Sequence, residues 1–61
     1  MHEQNEEWKD LRVRELYSLA ITSHDRVIRH EALTFLGAME RAGSNDAESA
    51  LDALRKRGLL P

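Results

Sequence analysis

From Met1 to Leu60 the chain contains no proline; its one proline is Pro61, and its three glycines stand at positions 37, 43 and 58. Proline removes an internal helical hydrogen bond and clashes with the preceding turn, at a cost of ~3 kcal/mol. A sequence that leaves it out while favouring Ala, Leu, Glu and Arg is compatible with helix along almost its whole length. Apolar residues recur at three- and four-residue spacing in three stretches separated by polar breaks, which predicts an all-α chain of three helices.

The first helix is predicted over Asn5 to Ile21, with Asn5 as its N-cap and Glu6 and Glu7 in the first turn, where carboxylates meet exposed backbone N–H groups. Thr22 and Ser23 interrupt the apolar pattern, and either hydroxyl is a candidate cap for the next helix, with Asp25 in a capping-box position after Thr22. The alternative at this point is one long helix bent at Ser23. The second helix is predicted over His24 to Ala42, with Ile28, Ala32, Phe35, Leu36 and Met39 as one apolar stripe and Gly43 ending it. Asn45 is the predicted N-cap of the third helix, and Glu48 stands where it can reach back to the cap. Ala47, Ala50, Leu51 and Leu54 share one face of that helix, Arg55, Lys56 and Arg57 fill its last turn, and Gly58 stops it with Leu59 folded back on Leu54.

A chain of 61 residues is read as one small domain, 1–61, with residues 1–4 frayed. At this size folding buries only about 60% of the unfolded surface, and the total absence of cysteine removes disulfides as a staple. Self-association is the remaining common remedy. Helix one points to it, because Trp8, Leu11, Val13, Leu16, Tyr17, Leu19, Ala20 and Ile21 make it apolar over more than half its circumference. Leu33 projects away from the stripe of helix two, beside Gly37, which has no side chain to hold a partner at a distance. The expectation is a three-helix antiparallel hairpin-plus-one bundle forming a homodimer, with Trp8, Leu11, Leu33 and Gly37 in the protein interface.

Between helix one and helix three the chain reads Leu16, Leu19, Ala20, Ser23, Asp25, Ile28-Arg29, Ala32, Leu36-Gly37, Ala47, Ala50, Leu51 and Leu54. This resembles a single HEAT-type helical repeat over residues 16–54, with Asp25, Ile28-Arg29 and Leu36-Gly37 as the distinctive part. The resemblance implies a helical hairpin plus a third helix, Asp25 and Arg29 stabilising the turn, and a face left to find a partner, since solenoids need about three stacked units. A second similarity, to the closing helix of a winged-helix DNA-binding unit, rests on residues 50–60. Asp46, Glu48 and Asp52 on that helix repel phosphate and argue against base reading.

Catalytic and metal chemistry finds little support. Ser23-His24-Asp25 are consecutive, so their side chains diverge and form no relay. His30-Glu31 starts a zinc-protease pattern whose second histidine position holds Thr34. No cofactor and no metal are expected, and the chain is read as not an enzyme. A formal charge of −2 with interleaved signs gives no polybasic field, and no apolar run is long enough for a membrane; the expected setting is cytoplasmic. The expected function is a protein-binding module, a small regulator, adaptor or inhibitor acting on an unidentified protein through a helix face. The alternatives are a dimeric nucleic-acid-binding regulator, with Arg55, Lys56 and Arg57 as phosphate contacts joined by Arg12, Arg14, Arg26 and Arg29, and a repeat-like unit that assembles end to end.

Overall fold

A computed structural model describes residues 8–60 as three helices, α1 (Leu11–Thr22), α2 (Arg26–Arg41) and α3 (Asn45–Lys56), preceded by an extended segment at residues 8–10. Each helix packs against the other two. None of the described helices is long and apolar enough to cross a membrane.

The core draws on all four pieces. Trp8 comes from the extended segment, Val13, Tyr17 and Ala20 from α1, Ala32 and Leu36 from α2, and Ala47, Ala50, Leu51 and Leu54 from α3. Four of these are alanines, whose small side chains let helix backbones draw close, while Trp8 and Tyr17 supply volume that leucines alone would not fill. The expected stripe of α2 is narrower than its periodicity suggests. Ala32 and Leu36 are buried and Met39 is half-buried, whereas Ile28 and Phe35 lie exposed on the flank.

Helix one begins later than expected. Asp10 is its N-cap, with a carboxylate oxygen accepting the Arg12 N–H at 2.9 Å; Trp8 therefore precedes the helix and is not in its first turns. The expected cap at Asn5, the first-turn Glu6 and Glu7 and the frayed residues 1–4 lie outside the described residues. The start is displaced because residues 8–10 are held in extended form against α3, as set out below.

Between α1 and α2 the chain turns; it does not run on as one bent helix. Ser23 closes α1 by donating its N–H to the Leu19 carbonyl at 3.0 Å, and Asp25, not Thr22 or Ser23, caps α2 by accepting the Val27 N–H at 2.9 Å. The Ser23 hydroxyl accepts the Asp25 N–H at 3.1 Å, so the two residues brace one another. Arg29 is not bonded to Asp25 through its side chain; its guanidinium reaches across the turn to the Ser23 carbonyl at 3.4 Å.

The α2–α3 turn is tighter still, because Ser44 closes one helix and opens the next. Gly43 adopts φ 102° and donates to the Glu40 carbonyl at 2.9 Å, and Ser44 donates to the Met39 carbonyl at 3.0 Å, the paired bonds of a Schellman stop. The Ser44 hydroxyl then accepts the Ala47 N–H at 3.1 Å, which makes Ser44, not Asn45, the N-cap of α3 and removes Glu48 from reach-back distance of the cap. At the far end α3 stops at Gly58 as expected, but Leu59 is exposed where it was expected to pack on Leu54, and Leu60 is the residue packed against the core. Gly58, at φ 80°, donates to Arg55, and Leu59 donates to Leu54, each at 3.0 Å.

These conformations sort the glycines by consequence. Gly43→Ala places a Cβ in left-handed backbone and is expected to destabilise the fold by about 1–2 kcal/mol. At Gly37, inside α2, an added Cβ meets only an Arg41 guanidinium nitrogen at 3.8 Å, so Gly37→Ala is expected to stabilise by about 0.5–1 kcal/mol. Urea denaturation followed by circular dichroism checks both. Equal effects of one sign at the two positions would contradict this assignment of the turns.

Candidate protein-interaction surface

The residues expected to bind a partner divide between the inside and the outside of the chain. Trp8 is 3% exposed, so the indole is part of the monomer core and is not an exposed interface anchor. Its ring meets Tyr17 edge-on, with centroids 4.7 Å apart and planes at 70°, a favourable arrangement of the two ring quadrupoles. The indole N–H donates to Ser49 Oγ at 3.1 Å, and the Trp8 carbonyl accepts from Arg14 Nε. Asp46, in the first turn of α3, accepts the N–H groups of both Lys9 and Asp10 on one carboxylate oxygen, each at 3.0 Å. An extended segment cannot satisfy its own amides, and here a charged acceptor satisfies two of them.

Leu33 and Gly37 are half-buried, with Leu33 packed against the core. Among the described residues no other helix makes the close approach expected at Gly37: within 4 Å of an added Cβ only the Arg41 side chain is met. Leu11 alone of the four stands well out, 69% exposed at the start of α1, and Leu19 is exposed two turns later. Sequence reasoning missed the larger apolar surface on α2. Val27 is 63% exposed, Ile28 40% and Phe35 60%, and helical spacing sets them on one side of α2, with Ile28 and Phe35 flanking buried Ala32 and Val27 farther out. The apolar spacing that groups Phe35 and Ile28 with Ala32, Leu36 and Met39 in one stripe does not show which edge of the stripe the neighbouring helices leave open.

The cations of the last α3 turn have internal neighbours. Arg57 Nε donates to the Tyr17 hydroxyl at 3.2 Å, and Lys56 and Arg55 approach Asp52 at 3.3 and 3.9 Å. The latter pairs are exposed and contribute little energy, yet they place a negative charge within the basic run and blunt its field toward phosphate. A shallow groove of about 310 Å³ along α3 is lined by Glu40, Asn45, Glu48, Ser49, Asp52 and Arg55. Among the described residues no group of three or more histidines and carboxylates is placed to hold a metal ion. Ser23 and Asp25 are engaged as turn and cap, so the Ser23-His24-Asp25 run is accounted for by local structure.

Compared with known proteins, the chain matches no family model, no curated protein and no solved structure.

The position of Trp8 sets the cost of removing it. Trp8→Ala is expected to lower the stability of the single chain by about 3–5 kcal/mol, which approaches the whole stability of a domain this small. Asp46→Ala, which removes the shared acceptor of one exposed and one part-buried amide, is expected to cost about 0.5–1.5 kcal/mol. Urea midpoints at micromolar concentration measure both. An unchanged midpoint for Trp8→Ala would contradict burial of the indole within one chain.

Proposed function

We propose that the chain is a non-enzymatic protein-binding module, a small cytoplasmic regulator, adaptor or inhibitor that covers part of a larger protein with the outer face of α2. The observation that carries this reading is the exposure of Val27, Ile28 and Phe35, which run from the outer side of α2 to the flank of its core stripe. A helix rises 1.5 Å per residue, so Val27 and Phe35 are separated by about 12 Å along the axis, the two-turn spacing with which helices anchor into partner surfaces. Aromatic side chains ringed by aliphatic ones are also the residues that most often dominate interface energetics. The HEAT-type likeness fits the same reading, because a single helical unit keeps a face that stacked neighbours would otherwise cover.

A homodimer joined through α1 is the second reading, and the exposure of Leu11 and Leu19 favours it. Its drive is smaller than the sequence suggests. Val13, Tyr17 and Ala20 of α1 are already buried within the chain, with Leu16 and Ile21 half-buried beside them.

Site-specific photo-crosslinking in cells tests the reading. A photoreactive side chain in place of Phe35 is expected to capture one defined protein, and the same group in place of exposed Glu48 on α3 is expected to capture none of it. Identical adducts from both positions, or none from position 35, would overturn the assignment of α2.

A further inference from the structure

The apolar face of α2 has a charge at its centre. Glu31 has as its helical neighbours Val27 and Ile28 one turn before, and Thr34 and Phe35 one turn after, so a carboxylate stands inside an otherwise apolar and hydroxyl ring. Among the described residues it has no ion-pair partner; the ion pairs there are those of Arg55 and Lys56 with Asp52 on α3. Glu31, Phe35, Thr34 and His30 also line a shallow hollow of about 390 Å³ on the outer surface of this helix.

This arrangement restricts what can cover the face. A wholly apolar partner would strip water from Glu31 and leave a buried charge uncompensated. A second copy fares worse. In a two-fold contact centred on this face residue 31 lies opposite its own symmetry mate, and two carboxylates meet at the axis. A cation on a long apolar stem suits it, since the stem covers Val27 or Ile28 while the head reaches the carboxylate and the face of the Phe35 ring. We propose that this face recognises an amphipathic helix carrying one arginine or lysine within its apolar side, with the cation held between Glu31 and Phe35 and aliphatic neighbours covering Val27 and Ile28. The inference rests on the reading of the chain as a protein-binding module and names the chemistry of its partner.

The test is selection from a display library of helical peptides randomised over about four turns, with the whole chain, Glu31→Lys and Phe35→Ala as separate baits. Both substituted positions are exposed, and circular dichroism verifies that each variant keeps its helices. Peptides selected on the unsubstituted chain are expected to carry Arg or Lys inside an apolar face, to bind Glu31→Lys about tenfold more weakly and to lose Phe35→Ala. Selection on Glu31→Lys is expected to enrich Asp or Glu at the same peptide position. Winners that need Phe35 but carry no basic residue, or that bind Glu31→Lys equally well, would overturn the inference and leave the binding-module reading standing. Winners indifferent to Phe35→Ala would overturn the inference and the assignment to α2 together, and the absence of any winner would overturn both the inference and the module reading.

Discussion

The insertion of Trp8 between α1 and α3 is the contact on which the rest of this small structure depends. Three helices of this length, cored largely by alanine and leucine, have little volume to bury, and the indole with Tyr17 against it supplies the largest apolar block available. Its polar handles link the pieces. The N–H reaches Ser49 on α3, the carbonyl accepts from Arg14 on α1, and the two following amides end on Asp46. The segment before α1 is thereby tied to α3, far away in sequence, and the Tyr17 hydroxyl extends the linkage to Arg57 at the end of that helix.

Burial of Trp8 within the chain changes what is left for a partner. The sequence places the aromatic anchor on α1 and makes dimerisation the remedy for an over-apolar helix. The structure covers the centre of that helix internally, with Leu11 and Leu19 left exposed, and leaves Val27, Ile28 and Phe35 on α2 as the larger uncovered apolar set. Glu31 in their midst turns a plain apolar face into one with a charge preference, which gives it selectivity as well as affinity.

Much of the fold was legible because its signals are local. The number of helices follows from apolar spacing, and the end of α3 follows from Gly58 and Leu59, whose backbone bonds to Arg55 and Leu54 complete the stop. One-residue errors arose where chemistry is degenerate. Ser44 and Asn45 are both competent caps, and only the tightness of the Gly43 turn, which makes Ser44 serve two helices, decides between them. The start of α1 was not legible, since the bonds that hold residues 8–10 extended come from Asp46 and Ser49, and helical periodicity carries no information on contacts so distant in sequence. Phe35 was misplaced for a geometric reason: a residue at the edge of a wide arc faces in or out according to where the neighbouring helices cross, which the pattern of one helix does not encode.

The central claim is that a single chain buries its own tryptophan, and emission from Trp8 followed through a dilution series alongside the mass from light scattering tests it most directly. The account predicts blue-shifted, poorly quenched emission that persists at concentrations where scattering reports one 7.0 kDa chain. Emission that moves to the red as the mass falls from two chains to one would contradict it, because the indole would then be covered by a second copy.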